Sequence, residues 1–212
     1  MENFFTVTSP KNPKISVQVA PGHFATSSAH RSHYIDIFDI KSSSTVARHA
    51  ARELALPYLA NTLVDVIVCM DGTEILAAYL ADELLQAGMG VINADSEICI
   101  VTPMIGTDGH YIFHQSVHEK IRNKKAVIVA ASMSTGASVK NVIECLAYYG
   151  CTLTGISAVF TAVPELDGRE IHALFSTNEI PDFKYCVPAE CEMCRDGRKL
   201  DAIFNSEGYT TL

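Results

Sequence analysis

The sequence predicts an α/β protein built on a doubly wound, mostly parallel sheet flanked by helices, with extra strands near both termini. Two observations support this fold class. Between residues 44 and 160, apolar runs of strand length alternate with segments of helical periodicity. The run 126–131 is entirely apolar and rich in β-branched residues, which is typical of a strand buried on both faces of a parallel sheet.

The first half of the chain contains two predicted helices. Residues 1–20 carry no strong periodicity, and the alternation in 34–38 is also compatible with a simple edge strand. Ser43 or Ser44 is expected to cap a helix that runs to about residue 59. Asp71 is interpreted as the cap of the next helix, since an acid follows it at capping-box spacing. The predicted elements of this half are a helix over 44–59, a strand over 64–69, a helix over 75–86 and a strand over 97–101.

The second half repeats the pattern. The strand 126–131 is followed by a helix that begins near Val139, and Gly150 stands where a helix C-terminal cap is expected. Further strands are predicted over 152–160 and 171–175, separated by a turn.

Composition narrows the class of protein. The chain has 212 residues, of which 48% are hydrophobic and 19% charged, and its net charge is −8. We expect no nucleic-acid partner, because phosphate contacts need a basic face. We also expect no membrane partner, because no apolar run approaches the roughly 20 residues of a membrane span and the start has no signal-peptide pattern. The seven cysteines, an odd number, are expected to be reduced in the cytoplasm.

A loop of small hydroxylated residues follows the strand 126–131. A strand, a short loop with hydroxyls and a glycine, and a helix N-terminus are how parallel α/β proteins build phosphate sites, because loop amides converge on the anion. An ordinary strand-to-helix turn also favours serine and glycine, so the local pattern leaves both interpretations open. The candidate phosphate-binding residues are Ser132, Met133, Ser134, Thr135, Gly136, Ala137 and Ser138.

The stretch 127–138 resembles the phosphoribosyl-pyrophosphate motif of type I phosphoribosyltransferases. In that motif an apolar strand is followed by two acidic residues, two variable residues and a loop such as Thr-Thr-Gly-Gly-Ser. The resemblance implies that 134–138 wrap a ribose 5-phosphate. The paired acids, which in the family hold the ribose hydroxyls, fall on Ala130 and Ala131, so the ribose side of the motif is degenerate.

The stretch 24–39 resembles the N-terminal signature of orotate phosphoribosyltransferases. The matching positions are Phe24, Ser28, Ser32, Tyr34 and Asp36. The resemblance implies that Phe24, Ser28 and Tyr34 lie on the base side of the site. The family's lysine just before the first serine is Ser27 in this chain, which removes one cation that reaches toward the substrate.

The family's pyrophosphate loop corresponds to Met70, Asp71, Gly72 and Thr73. This loop keeps one glycine and adds an acid, whose carboxylate repels pyrophosphate unless a magnesium ion lies between them.

No lysine or arginine occurs between Arg52 and Lys120, the span that covers this loop and the family's closing catalytic loop. The remaining candidates to replace the cations are His110, His114 and His118. Their spacing permits a metal site, but we favour partly exposed structural histidines.

The resemblance covers roughly residues 20–200. It implies a type I phosphoribosyltransferase fold, an active site above the carboxyl ends of the strands, and a homodimer. We expect one domain over 1–212, with a substrate-side segment over 1–43, a core over 44–180 and a cysteine-containing tail over 181–212.

Two functions remain open. The first is a protein that binds a nucleotide or sugar 5-phosphate with lost or weak transferase activity. The second is an active transferase that uses magnesium and phosphoribosyl pyrophosphate to modify orotate or another base. The missing charged groups favour the first, and acids restored at Ala130 and Ala131 should raise ribose affinity more than turnover.

The tail contains Cys186, Cys191 and Cys194. The last two are spaced as a pair that can ligate one ion, but a fourth ligand is not evident, and His172 or Cys151 would have to come from elsewhere in space. We therefore expect the tail to be docked without metal, with Cys191 and Cys194 as thiols.

Overall fold

The computed structural model describes residues 4–26, 29–86, 92–94, 96–205 and 208–211. It contains three sheets and confirms the α/β class predicted from the sequence. The strands are β1 (Phe5–Thr8), β2 (Ser16–Ala25), β3 (His30–Asp36), β4 (Val66–Cys69), β5 (Cys99–Val101), β6 (Met104–Ile105), β7 (Tyr111–Ile112), β8 (Lys125–Met133), β9 (Thr152–Thr161), β10 (Glu165–Leu166), β11 (Arg169–Ser176), β12 (Tyr185–Cys186), β13 (Ala202–Asn205) and β14 (Gly208–Thr211). The α-helices are α1 (Phe38–Ser42), α2 (Ser44–Ala55), α3 (Glu74–Leu85), α4 (His118–Ile121), α5 (Ala137–Tyr148) and α6 (Glu192–Arg195), and short 3₁₀ helices cover Gln115–Val117, Thr177–Glu179 and Pro188–Glu190.

The central sheet has six strands in the order β10-β11-β9-β8-β4-β5, and all of its pairs are parallel except β10 with β11. Along the parallel part, the chain order of the strands reverses between β4 and β8. Ligands of doubly wound proteins bind outside the carboxyl ends of the strands at such a reversal. The loops that follow β4 and β8 are therefore expected to form the site.

The strand β8 shows why this sheet is buried on both faces. Val127 and Val129 belong to one hydrophobic cluster, whereas Ile128 and Ala130 belong to the other. The first cluster includes the apolar faces of α2 and α3, and the second includes that of α5. Since successive side chains of a strand point to opposite faces, an entirely apolar sequence is required here.

The extra strands near both termini form a second sheet, also of six strands. Its order is β12-β3-β2-β13-β14, with β1 on the β2 edge of the antiparallel β2–β3 hairpin. The tail strand β13 runs parallel to β2 through the pairs Ala202–Phe24 and Ile203–Ala25. This sheet joins the two ends of the chain. The strands β6 and β7 form a separate hairpin.

Two of the predicted helix ends are confirmed. The Ser43 side chain accepts a hydrogen bond from the Val46 N–H at the start of α2. Gly150 follows α5 at φ 70° and donates its N–H to the Ala147 carbonyl. None of the helices in the described part of the chain combines the length and the apolar character needed to cross a membrane.

The interpretation of Asp71 as a helix cap is wrong. Thr73 occupies the N-cap position of α3 and makes no side-chain cap bond. Asp71 and Gly72 both have positive φ values, 59° and 78°, so the chain turns sharply before the helix begins. The turn leaves Asp71 two residues ahead of the N-cap position, which is too early to cap the helix.

Candidate functional site

A cleft of about 330 Å³ opens where β4 and β8 end. The loops after these two strands form its floor, and the second sheet, the segment leading into α1 and the β6–β7 hairpin form its walls. The residues that line it are Thr26, Arg31, Tyr34, Ile35, Asp36, Ile37, Phe38, Lys41, Met70, Asp71, Ile105, Tyr111, Ala131, Ser132, Met133, Ser134, Thr135, Gly136, Ala137, Ser138, Val139 and Phe204. All seven candidate phosphate-binding residues are in this set.

The loop between β8 and α5 is shaped by a glycine. Gly136 has φ 76°, a conformation that other residues rarely adopt, and a Cβ there would lie 2.8 Å from Leu166 Cδ1. The turn directs the chain into α5, whose first N–H groups lack partners within the helix. One of them, that of Ala137, donates to Thr135 Oγ1 over 3.3 Å. The start of this 12-residue helix therefore adds a positive electrostatic potential to the cleft.

Two buried polar groups in the cleft wall have no hydrogen-bond partner. Among the described residues, these are Ser134 Oγ and Arg31 Nε, and both residues are less than a tenth exposed. A buried donor without a partner costs about 1–3 kcal/mol, so such groups are uncommon in folded proteins. Because both side chains line the same cleft, an anion bound there can accept hydrogen bonds from each.

Arg31 is a cation that the sequence reasoning missed. Its Nη1 donates to Ser132 Oγ over 2.9 Å, and its guanidinium lies 5.0 Å from the Phe204 ring centroid. Burial lowers the pKa of Arg31 to about 10, and the nearby Asp71 opposes this shift. The side chain therefore still carries its charge at neutral pH. The only signal in the sequence was its position between His30 and Ser32 in the N-terminal signature.

A second missed cation, Lys41, lies on α1. Its ammonium donates to the Asp71 carbonyl over 2.9 Å. Burial raises the pKa of the Asp71 carboxyl above its usual value, while Lys41 and Arg31 pull it down and Glu74 raises it slightly further. The two cations come from the N-terminal segment and enter the cleft from the opposite side to the cation-free span 53–119.

The two alanines at the acid positions have different surroundings. Ala131 lines the cleft. Ala130 is fully buried and belongs to the hydrophobic cluster under α5. The idea of restoring both acids therefore needs correction, since a carboxylate at position 130 would enter apolar surroundings while one at position 131 would face the cleft.

The base-side and pyrophosphate-loop candidates are only partly brought to the cleft. Tyr34 lines it, whereas Phe24 is fully buried behind it, with its ring centroid 6.2 Å from that of Tyr34. Ser28 lies outside the described residues. Met70 and Asp71 line the cleft; Gly72 and Thr73 are not in the lining set, and Thr73 Oγ1 donates to the Val129 carbonyl.

The three candidate histidines are also absent from the lining residues that the structure describes. His110 pairs with Asp108 and its side chain is 82% exposed. His114 contacts Ser116, and His118 contacts Tyr149.

The cleft provides little for a resident magnesium ion. Among its described lining residues, the only carboxylates are Asp36 and Asp71. Asp36 already accepts a hydrogen bond from the Phe38 N–H, and Asp71 faces two cations. Magnesium prefers carboxylate and phosphate oxygens in octahedral geometry. The donor set of this chain alone does not fit such an ion.

The fold and the cleft together define an α/β protein with an anion-binding pocket at the point where strand order reverses. Known structures specify the fold further. The chain aligns with UMP synthase of Leishmania donovani at 18% identity and a TM-score of 0.53, over 76% of this chain and 34% of that one. It aligns with orotate phosphoribosyltransferase of Mycobacterium tuberculosis at 11% identity and a TM-score of 0.53, over 78% and 93% of the two chains. For adenine phosphoribosyltransferase of Leishmania tarentolae the values are 12%, 0.52, 71% and 80%.

The chain therefore has a type I phosphoribosyltransferase-like fold, with an added sheet that joins its two ends. No protein-family model matches the sequence, and no curated protein matches it either.

Proposed function

We propose that this protein binds a nucleotide or a sugar 5-phosphate in the cleft and has little or no phosphoribosyltransferase activity. The observation that carries the proposal is the pair of unpartnered buried donors, Ser134 Oγ and Arg31 Nε, in the wall of one cleft. The glycine turn at Gly136 and the N-terminus of α5 support the same ligand class, because both favour a phosphate group.

The ligand's phosphate is expected on the loop 134–138, as the family resemblance implies. Arg31 and Lys41 then lie near the remainder of the ligand, where the family has acids, and favour a second electronegative group there. Tyr34 and Phe204 add aromatic surface to the same cleft. This combination suits a phosphorylated ribose that carries a base better than inorganic phosphate alone.

Weak transfer activity follows from the groups that the cleft lacks. Ala131 cannot hold the ribose hydroxyls as an acid does, and each such charged hydrogen bond contributes about 1.5–3 kcal/mol. The lining residues Ile105 and Tyr111 of the β6–β7 hairpin bring no positive charge to the leaving group. Loss of one transition-state contact typically costs about 2.7–4 kcal/mol, so several losses together amount to orders of magnitude in rate.

The binding proposal is tested by isothermal titration with ribose 5-phosphate, nucleoside monophosphates and inorganic phosphate. We expect the phosphorylated ribose compounds to bind more tightly than inorganic phosphate. Replacement of Ser134 by Ala should weaken all of them, whereas the exposed Ser44→Ala serves as the matched control. Absence of binding, together with an empty loop in crystals soaked with ribose 5-phosphate, would refute the proposal.

An active orotate phosphoribosyltransferase-like enzyme is the second candidate, and the presence of Arg31 and Lys41 in the cleft favours it. Such an enzyme would join the ribosyl group of phosphoribosyl pyrophosphate to orotate or another base, with magnesium supplied together with the pyrophosphate. Product analysis with magnesium, phosphoribosyl pyrophosphate and a panel of bases separates the two. Turnover on the order of 1–1000 per second would establish the enzyme. We also expect a homodimer, which light scattering can measure.

A further inference from the structure

Two histidines and two cysteines meet behind the cleft wall, and neither residue type enters the function proposed above. The ligand atoms of His23, His30, Cys191 and Cys194 all lie within 4.8 Å of one another. His23 is on β2 and His30 on β3, so the hairpin supplies both imidazoles. Cys194 lies on α6 and Cys191 immediately precedes that helix. We propose that these four side chains form a structural zinc site that fastens the tail to the β2–β3 hairpin.

The distances match the edges of a zinc tetrahedron. Zinc bonds of about 2.3 Å to sulfur and 2.0–2.1 Å to nitrogen separate the ligand atoms by about 3.3–3.8 Å. His23 Nε2 lies 3.4 Å from Cys191 Sγ, 3.7 Å from Cys194 Sγ and 3.2 Å from His30 Nδ1. Cys194 Sγ lies 3.4 Å from His30 Nδ1. One ion at the centre can contact all four atoms without rearrangement of the backbone.

The second ring nitrogen of His23 is held as in known zinc sites. Nδ1 lies 3.0 Å from the Arg198 carbonyl and 3.2 Å from the Lys199 carbonyl. Carbonyl oxygens only accept, so Nδ1 carries the proton and Nε2 presents its lone pair to the cluster. Metal-bound histidines almost always donate their other N–H to a carbonyl, a carboxylate or water.

A cluster held by hydrogen bonds alone accounts for this arrangement less well. Without an ion, the single lone pair of His23 Nε2 faces three polar atoms and accepts from only one donor at a time. Zinc with two thiolates and two neutral imidazoles instead satisfies all four ligands and has no net charge. Neutrality matters because His23 and Cys191 are at most 1% exposed and His30 is 9% exposed. Cys194 is exposed, which gives an ion access to the site.

The site replaces the metal-free tail expected from the sequence. The fourth ligand that the sequence could not supply comes from the hairpin, as does a third, with His23 168 residues before Cys191. His172 lies against Tyr58 on the central sheet, and Cys151 is in the cluster under α5. Neither belongs to the set of four, and within the described residues Cys186 does not belong to it either.

Zinc would fix the segment that leads into β13. Only two residue pairs join β13 to β2. Nearby, the Asp201 N–H donates to the His23 carbonyl over 2.8 Å, and the His23 N–H donates to Asp201 Oδ2 over 2.6 Å. A closed Cys₂His₂ site adds a strong link at this junction, because structural zinc contributes directly to folding free energy.

The test begins with metal analysis of the full chain purified without chelator. We expect about one zinc per chain, as in other closed four-ligand sites. Apoprotein titrated with Co²⁺ should show the visible bands of tetrahedral cobalt and a thiolate charge-transfer band. Absence of zinc, or Co²⁺ spectra without the thiolate band, would overturn the proposal even if no variant could be purified.

Variants assign the ligands. Cys194→Ser and His23→Asn should weaken Co²⁺ affinity by at least about 100-fold, because loss of an outer partner alone costs 10–100-fold. Cys99→Ser and His110→Asn are the matched controls and should bind as the wild type does. Chelation should also speed tryptic cleavage at Arg195 and Arg198, whose side chains are 68% and 54% exposed. Ligand variants that keep full zinc content would contradict the assignment.

Discussion

Replacement of Arg31 by Met tests the anion site most directly. Met keeps much of the buried apolar stem while it removes the charge and all the guanidinium donors. In the native protein the guanidinium donates to Ser132, lies over the Phe204 ring and keeps Nε without a partner in the cleft wall. Its pKa, although lowered to about 10 by burial, leaves it charged at neutral pH.

The expected effect on binding is large. A hydrogen bond from a charged donor to the ligand contributes about 1.5–3 kcal/mol, which corresponds to roughly 10–150-fold in affinity for ribose 5-phosphate. The effect on folding should be small. The lost bond to Ser132 and the lost cation–π contact destabilise the variant by about 1–2 kcal/mol, and relief from burying a charge offsets part of that loss.

The assay is titration calorimetry with ribose 5-phosphate, paired with urea unfolding of the same samples. Arg122→Met is the matched control, because Arg122 contacts Glu119 at the surface and is 57% exposed. A change of less than about twofold in Kd for Arg31→Met, with an unchanged unfolding midpoint, would mean that the cleft does not bind its anion through this side chain.

Three other predictions follow from the same structure. Sulfate should bind more tightly as pH falls toward the raised pKa of Asp71, because protonation removes a negative charge from the cleft, and Asp71→Asn should strengthen binding at neutral pH and flatten this dependence. Ala131→Asp should raise affinity for ribose 5-phosphate relative to inorganic phosphate by about tenfold, whereas Ala130→Asp should destabilise the fold by about 3 kcal/mol or more. Tyr58→Phe should cost about 1–3 kcal/mol in urea unfolding, since it leaves the buried Ser157 hydroxyl without its 2.8 Å partner.

Each of these has a control and a contrary outcome. For Asp71, the exposed Asp39→Asn should leave the pH profile unchanged, and a profile that survives Asp71→Asn would assign it to another group. For the alanines, equal stability of the two aspartate variants would contradict the different surroundings of positions 130 and 131. For Tyr58, the control is Tyr148→Phe, because Tyr148 is 85% exposed and its loss should change stability little.

The sequence alone determined the layout of the central sheet. Strands and helices are local patterns, so the buried run 126–131, the Ser43 cap and the Gly150 terminus could each be recognised from a few neighbouring residues. The loop 132–138 was found for the same reason. Local patterns failed at Asp71, where a capping-box spacing was present but a turn of two positive-φ residues moved the helix start to Thr73 and Glu74.

Only the tertiary structure decided which charges enter the cleft and which ligands join the cysteines. Arg31 contacts Ser132 across 101 residues, and Lys41 contacts Asp71 across 30. His23 meets Cys191 across 168 residues because β13 pairs with β2. Such contacts depend on the order and register of strands that are far apart in the chain, and a one-residue shift in register turns every side chain to the opposite face. No local pattern carries that information, so the cation-free span suggested an uncharged site that the N-terminal segment in fact supplies with two cations.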